Sequence, residues 1–258
     1  MQQLALIKLG GSVITFKDKP LAANSDAIDG ISRTLAQIRT PCIIVHGGGS
    51  FGHYCSVKYG MHTKPVSYDT HSVSAVHESM VALNYIITNS MIKAGLNPYA
   101  IPPSVFTMGH KPIATKIKQV HTMAKSGVLP VTFGDVVHVE GSKYSILSGD
   151  ALMTILATAL RPSKVIFATN VNGIYRDMAN KELVSEIRVA GKKSIEFSKA
   201  AGADVTGGMQ RKVTEAFKIA SRGMDVLMVN GLKPERIAQA IEDRLEVGTV
   251  VKKKGRRK

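Results

Sequence analysis

Apolar runs that end in a glycine turn constrain the fold of this chain more than any other feature. The runs are continuous rather than alternating, which is typical of strands that are covered on both faces of a parallel sheet. Glycine after such a strand lets backbone N–H groups approach a ligand without a Cβ in the way. Four segments have this form: Lys-Leu-Gly-Gly-Ser at 8–12, His-Gly-Gly-Gly-Ser-Phe-Gly-His at 46–53, Ser-Gly-Asp at 148–150 and Thr-Gly-Gly-Met-Gln-Arg-Lys at 206–212.

The spacing of the apolar residues predicts the main elements. Helical periodicity covers 25–39, where Pro41 stops the helix, and 70–93. Segments 136–140 and 144–147, joined by Gly-Ser-Lys, indicate a small β-hairpin. Strands are expected at 4–7, 42–45, 128–131, 164–167 and 226–229. The alternation of these strands with helices predicts a three-layer α/β/α sandwich around a largely parallel central sheet, with a soft domain boundary near residue 160.

The charge of the chain favours anionic ligands. The formal net charge is +15, and although six positive charges lie at 252–258, the rest of the chain is basic too. We interpret the tail as a solvated, frayed terminus. Aromatic residues make up 5% and Trp is absent, which argues against a surface that stacks nucleic-acid bases.

The sequence also predicts a cytoplasmic protein without a membrane contact. It contains no signal peptide and no apolar run of membrane-spanning length. Cys42 and Cys55 lack a second pair that would give metal-ligand spacing, so we expect free, reduced thiols.

Three lysines next to the glycine turns indicate phosphoryl transfer. Lys8 precedes the first turn, Lys17 follows it, and Lys212 lies one helical turn beyond the fourth. Transfer of a γ-phosphoryl group needs positive charge around the phosphates more than it needs covalent help. A solvated surface amine remains an alternative for each lysine, and most of all for Lys17.

Other catalytic motifs fit the sequence less well. Segment 47–52 satisfies G-x-G-x-x-G, but Asp69, at the spacing of a ribose-binding acid, opens a helix, and the match follows the second strand. A dinucleotide-dependent dehydrogenase is therefore disfavoured. A Walker A motif is absent. Ser50 lacks a plausible base, and His77-Glu78 lacks the second histidine of H-E-x-x-H. No metal ligands are predicted.

The turns at 8–12, 46–53 and 205–212 resemble those of the amino acid kinase superfamily, and within it those of the isopentenyl phosphate kinases. The resemblance runs from Met1 to about Val251. It implies an acceptor-binding lobe over 1–160, a nucleotide-binding lobe over 161–251 and a basic tail at 252–258. It also implies ATP and Mg²⁺ as cofactors, isopentenyl phosphate as the small-molecule substrate, and a homodimer.

The resemblance assigns a role to each matching position. His53 would bind the acceptor phosphate, Lys17 would stabilise the transition state, and Asp150 would hold the active-site lysines. The implied catalytic residues are Lys8, Lys17, His53, Asp150 and Lys212. The implied acceptor-binding residues are Gly48, Gly49, His53, Gly134 and Asp135. The implied nucleotide-binding residues are Lys8, Leu9, Gly10, Gly11, Ser12, Gly49, Asn170, Tyr175, Gly207 and Lys212.

Two features bear on specificity. Relatives often carry Asp where this chain has Asn170 and Asn172, which leaves its nucleoside preference open. Val76 and Met80, on the apolar stripe of the helix at 70–93, are typical core residues, but they could also line a slot for a prenyl chain.

The sequence leaves other functions open. A related kinase could act on a phosphonate such as fosfomycin or on a carboxylate. A non-catalytic nucleotide sensor on the same fold, or a nucleic-acid binder that exploits the positive charge, is a further alternative.

Overall fold

The computed structural model describes residues 4–177, 182–189 and 207–253, with only the backbone at Asp177 and Gly207. Residues 205–206 of the fourth glycine turn and 254–258 of the basic tail lie outside the described residues. The strands are β1 (Ala5–Leu9), β2 (Cys42–His46), β3 (Val66–Ser67), β4 (Pro98–Ala100), β5 (Thr107–Met108), β6 (Lys111–Pro112), β7 (Leu129–Phe133), β8 (Asp135–Glu140), β9 (Lys143–Leu147), β10 (Lys164–Thr169), β11 (Tyr175–Asp177), β12 (Glu182–Leu183), β13 (Glu186–Arg188), β14 (Val226–Asn230) and β15 (Thr249–Lys252).

The helices connect these strands, and a short 3₁₀ helix covers Pro103–Val105. The α-helices are α1 (Gly11–Ile14), α2 (Ser25–Ala36), α3 (Gly49–Lys58), α4 (Thr70–Lys93), α5 (Ala114–Lys125), α6 (Gly149–Leu160), α7 (Gly207–Ser221) and α8 (Glu235–Ile241).

The central sheet has eight strands in the order β13-β15-β14-β10-β1-β2-β7-β4. Neighbouring strands are parallel throughout, except that β14 and β15 are antiparallel. Strand β1 lies between β2 and β10, so the chain builds the sheet outward from β1 in both directions. The carboxyl ends of the strands around such a point form the crevice in which open α/β sheets bind their ligands.

Helices cover both faces of the sheet. Leu6, Val45 and Phe167 face one way and pack with α5, α6 and α7. Ile7 and Ile44 face the other way and pack with α2, α4 and α8. Since side chains alternate along a strand, Lys8 lies on the same face as Leu6, toward α6. The predicted α/β/α sandwich with a largely parallel sheet is confirmed.

Several local predictions are confirmed with small shifts. Helix α4 spans Thr70–Lys93 as predicted, and the Asp69 side chain caps it by accepting from Ser72 N–H at 2.9 Å. The hairpin forms from β8 and β9. Helix α2 ends at Ala36, three residues before the predicted end, because the backbone turns tightly there and Ile38 N–H donates to Leu35 O.

The sheet is continuous across the boundary predicted near residue 160, because β1 pairs with β10. The division into an acceptor lobe and a nucleotide lobe stays a prediction. Within the described ranges, no helix combines the length and apolar character needed to cross a membrane.

Candidate active site

A cavity of about 880 Å³ opens at the carboxyl ends of β10, β1, β2 and β7. Most of the predicted site residues border it, although they come from segments far apart in the chain. The predicted residues that line the cavity are Lys8, Gly11, Ser12, Lys17, Gly48, Gly49, His53, Gly134, Asp135, Asp150, Asn170 and Lys212.

Three predicted nucleotide-binding residues do not line this cavity. The Leu9 side chain is buried in the core on the α2 face. The Gly10 N–H donates to Ala168 O at 2.9 Å and is therefore occupied within the sheet. Tyr175 pairs with Leu183 in the small ribbon of β11 and β12. Gly207 begins α7, next to Gly208, which borders the cavity.

The glycine turns pack directly against one another, which explains why glycine is required. A Cβ on Gly11 would lie 2.5 Å from the Cα of Gly49, and a Cβ on Gly134 would lie 2.7 Å from the backbone N of Gly149. Gly49 also has a φ of +50°, which favours glycine. The turns after β1 and β2, and those after β7 and β9, therefore meet backbone to backbone at the cavity.

Thr15, which the sequence analysis did not single out, joins the first two turns. Its hydroxyl donates to Gly11 O at 2.8 Å and accepts from Ser50 N–H at 2.9 Å. Thr15 is buried, so each of these backbone groups has its partner without water. This one side chain fixes the end of α1 against the start of α3.

An acidic residue joins two lysines beneath the cavity. Lys8 Nζ lies 2.8 Å from Asp150 Oδ1, and Lys212 Nζ lies 3.7 Å from Asp150 Oδ2. Lys8 comes from β1, Asp150 from the first turn of α6 and Lys212 from α7. The carboxylate therefore lies next to both ammonium groups, and the role of Asp150 in holding them for catalysis stays a prediction.

The pKa values reflect this arrangement. Burial alone would raise the pKa of Asp150, but the charges of Lys8, Lys212 and Arg211 and the hydrogen bond from Lys8 together outweigh burial and hold this pKa below its usual value. Burial, followed by repulsion from Lys8, lowers the pKa of Lys212 to about 8. Arg211 and Lys17 also lower the pKa of Lys212. Cationic charge is thus concentrated in this part of the cavity.

Four helices begin at the cavity and add to its attraction for anions. The first residues of α1, α3 and α6 line it, and so does Gly208 near the start of α7. Backbone N–H groups at a helix N-terminus lack intrahelical partners, and the helix dipole adds partial positive charge there. Together with the lysines, these termini make the polar end of the cavity suited to phosphate groups.

Lys17 and His53 lie at the rim of the cavity. Both side chains are exposed, and both also border a smaller neighbouring cavity of about 310 Å³. They come from the loop after α1 and from the second turn of α3. Both residues border the same cavity as the lysine pair, which is the location expected for contacts to an acceptor phosphate.

His46 serves the structure of the second turn. It is fully buried, stacks on Phe133, and has one ring nitrogen 3.1 Å from Gly47 O and the other 3.2 Å from Asn84 Oδ1. Burial lowers the pKa of His46 to about 4, so the ring is neutral at pH 7. These contacts indicate that His46 shapes the turn.

The two asparagines of the nucleoside segment have different environments. Asn170 lines the cavity and accepts from the Ser12 hydroxyl at 3.1 Å. Asn172 Oδ1 instead accepts from Arg236 at 2.5 Å and from Asn230 at 3.0 Å. Only Asn170 of this pair therefore borders the cavity, while Asn172 holds the loop against β14 and α8.

Part of the cavity lining is apolar. Met61, Val76 and Met80 are buried residues in this part, together with Ile146 of β9. The suggestion that Val76 and Met80 line a slot is thus consistent with their position, although both are also core residues. Phosphate-binding groups and an apolar slot occupy one continuous space.

Sequence reasoning missed two polar side chains here. Arg211 lines the cavity beside Lys212 and was recognisable as a cation in the fourth turn. His77 Nδ1 lies 2.7 Å from Asp135 Oδ2. No local pattern could have revealed this pair, because 58 positions separate the two residues.

Residues 3–230 match the sequence model of the amino acid kinase family. The chain belongs to the amino acid kinase family. This membership accounts for the glycine turns and implies ATP as a substrate.

Individual relatives within the family narrow the comparison. The isopentenyl phosphate kinase of Thermoplasma acidophilum is 31% identical over 96% of this chain and 100% of its own length. The isopentenyl phosphate kinase of Methanothermobacter thermautotrophicus is 27% identical, over 92% of this chain and 95% of the relative. The resemblance to isopentenyl phosphate kinases is confirmed.

Solved structures agree with the sequence relatives. A crystal structure described as the isopentenyl phosphate kinase substrate complex superposes with a TM-score of 0.80 at 29% identity, covering 97% of this chain and 100% of the other. The product complex of the T. acidophilum enzyme gives a TM-score of 0.79 at 30% identity, covering 96% and 100%.

Proposed function

We propose that this chain transfers the γ-phosphoryl group of ATP to isopentenyl phosphate and forms isopentenyl diphosphate for an alternative mevalonate route to isoprenoids. One observation carries the proposal: a single cavity combines a lysine-rich polar end, formed by glycine turns, with an apolar slot. The relatives named isopentenyl phosphate kinase support the same acceptor.

The reaction needs no general base. A phosphate monoester has a second pKa near 6, so its oxygen is already anionic at neutral pH. That oxygen attacks the γ-phosphorus, the bond to the β,γ-bridging oxygen breaks, and ADP leaves. The main obstacle is repulsion between two polyanions.

The residues of the cavity supply the positive charge that offsets this repulsion. Asp150 holds Lys8 and Lys212. These two lysines would bind the donor phosphates, and Lys17 would bind the transferred group. The backbone N–H groups of the turns containing Gly11 and Gly49 would bind the phosphates between donor and acceptor. His53 holds the acceptor phosphate, so its role is to position the substrate.

Mg²⁺ belongs to the proposal as the partner of ATP. In the part of the chain that the structure describes, no group of three or more His, Cys, Asp or Glu side chains could hold a metal ion. Of the acidic residues lining the cavity, Asp150 is paired with lysines and Asp135 with His77. The ion would therefore bind mainly to phosphate oxygens and water, and would supply charge neutralisation.

The acceptor is tested with an ADP-release assay on isopentenyl phosphate, dimethylallyl phosphate, fosfomycin and N-acetylglutamate. We expect the highest kcat/KM with isopentenyl phosphate. His53→Ala should raise the KM for that acceptor roughly tenfold with the KM for ATP unchanged. His138→Ala, an exposed histidine on the hairpin, is the control. Faster turnover of fosfomycin or N-acetylglutamate, or an unchanged acceptor KM in His53→Ala, would contradict the assignment.

The proposal also includes a cytoplasmic homodimer. Val81, Tyr85 and Ile92 form an exposed apolar stripe along α4, and Tyr99 is exposed on the edge strand β4. A second copy could cover this surface. Light scattering of the wild-type protein should give twice the monomer mass, and the measured mass should be lower for Tyr85→Glu. A monomeric wild-type protein would contradict this part.

A further inference from the structure

A buried carboxylate borders the cavity and contacts a histidine outside it. Asp135, at the start of β8, is 3% exposed and lines the cavity. Its Oδ2 lies 2.7 Å from His77 Nδ1, and its Oδ1 accepts from Val136 N–H at 2.8 Å. Both carboxylate oxygens therefore have partners within the protein.

The pair joins two walls of the apolar slot. His77 follows Val76 on α4, and Asp135 precedes Val136 on β8. Val76 and Val136 pack in one small apolar cluster with Cys55 and Met61. Val76 from α4 and Ile146 from the hairpin both line the cavity. The contact between His77 and Asp135 thus fixes the hairpin against α4 where the slot meets the polar end.

The charge of Asp135 is unusual in this location. A site for two polyanions would be expected to exclude a carboxylate, because like charges repel strongly where water is excluded. Burial raises the pKa of Asp135, which shows that its charged form is costly, and His77 offsets part of this effect. The hydrogen bond with Asp135 in turn raises the pKa of His77.

We propose that His77 is a positioning residue for the acceptor, which compensates the charge of the Asp135 carboxylate at the cavity and holds β8 against α4. This inference rests on the proposed function and deepens it. Without His77, the carboxylate would be unpaired at the edge of the cavity and would repel the acceptor.

Steady-state kinetics separate this role from a purely structural one. We expect His77→Ala to raise the KM for isopentenyl phosphate about tenfold, with kcat and the KM for ATP within about threefold of wild type. His77→Gln keeps a hydrogen-bond donor without the charge and should give an intermediate KM; it serves as the test if His77→Ala does not fold. His71→Ala, an exposed histidine on α4 that lies 3.4 Å from the Tyr59 hydroxyl, is the matched control.

The decisive variant is the double substitution His77→Ala/Asp135→Asn. Removing the charge as well as its partner should lower the acceptor KM at least threefold relative to His77→Ala. A KM equal to or higher than that of His77→Ala would overturn the proposal, because it would mean that Asp135 binds the acceptor or that His77 acts only through packing. An unchanged KM in His77→Ala would also overturn it.

The proposed function can fail separately. If the wild-type protein does not phosphorylate isopentenyl phosphate, the proposed function is wrong. The role of His77 is then tested by measuring the affinity of the cavity for inorganic phosphate in an NMR titration. His77→Ala should weaken phosphate binding, and the added Asp135→Asn should restore it. No restoration would overturn the positioning role.

Discussion

Lys8 Nζ and Asp150 Oδ1 lie 2.8 Å apart beneath the cavity, with both side chains almost completely buried. The pair links the centre of the sheet to the N-terminus of α6, and the second carboxylate oxygen faces Lys212. A buried ion pair of this kind contributes little net stability, but removing one partner leaves an uncompensated charge. The arrangement is best explained by the need to present two ammonium groups to a phosphate chain.

Asp150→Asn tests this arrangement. The variant leaves Lys8 and Lys212 close together without a carboxylate, so we expect kcat to fall roughly 100-fold and the free energy of unfolding to fall by about 3–5 kcal/mol. Kinetics and denaturant titration measure the two effects. Asp243→Asn removes the exposed carboxylate paired with Lys164 and is the matched control. It should leave both kcat and the free energy of unfolding close to their wild-type values. Nearly wild-type turnover in Asp150→Asn would contradict the role of the carboxylate.

The lowered pKa of Lys212 predicts proton uptake on ATP binding. At pH 8 about half of the Lys212 side chains in the free protein are neutral, since the pKa is about 8. Bound phosphates favour the charged form, so binding should take up about half a proton at pH 8 and almost none at pH 6.5. Calorimetry in buffers of different ionisation enthalpy measures the uptake. Lys212→Arg should abolish this proton uptake, because arginine stays charged. Equal proton uptake in the wild-type and Lys212→Arg proteins would show that Lys212 is not the group that takes up the proton.

Thr15 should connect stability with catalysis. Thr15→Val keeps the shape but removes the hydroxyl that serves Gly11 O and Ser50 N–H. Ser50 N–H would lose its partner, whereas Gly11 O would keep its bond from the backbone N–H at position 15, and the free energy of unfolding should fall by about 1–3 kcal/mol. Because the first two turns lose their link, kcat/KM for ATP should fall as well. Thr15→Ser retains the hydroxyl and should stay close to wild type; equal losses in both variants would mean that the methyl group matters instead.

Gly11→Ala should disable the site through backbone displacement. The added Cβ would collide with Gly49, and neither backbone can move without disturbing a turn. We expect loss of kinase activity together with lower thermal stability. Gly141→Asn is the control, since Gly141 has a φ of +53° and open space around its Cα, and asparagine tolerates this conformation. An active Gly11→Ala protein would show that the turns are not closely constrained.

The hydrophobic pattern predicted most of the central fold but placed the ends of the strands too early. Predicted strands ended at Ile7, Val45 and Phe167, whereas the observed strands end at Leu9, His46 and Thr169. The missing positions include Lys8, His46 and Thr169, which are polar residues at the carboxyl edge. Lys8 and Thr169 line the cavity, and His46 is buried beneath the second turn. These polar residues interrupt the apolar run, so a pattern based on hydrophobicity stops at the edge of the sheet where the site begins.

The glycine turns and lysines were predictable because each lies within a short segment. The contact of His77 with Asp135 was not, since it depends on how α4 packs against the hairpin. The predicted role of Tyr175 also remains a prediction, because this residue lies in the β11–β12 ribbon, away from the lining of the cavity. Local motifs thus located the phosphate end of the site better than its acceptor wall.

The most direct test of the account follows the phosphoryl group itself. The protein is incubated with isopentenyl phosphate, Mg²⁺ and ATP labelled with ¹⁸O on the non-bridging oxygens of its γ-phosphate, and the products are analysed by mass spectrometry. The account predicts isopentenyl diphosphate that carries the label in its terminal phosphoryl group, with one unlabelled ADP for each product. Labelled inorganic phosphate without labelled isopentenyl diphosphate would contradict it.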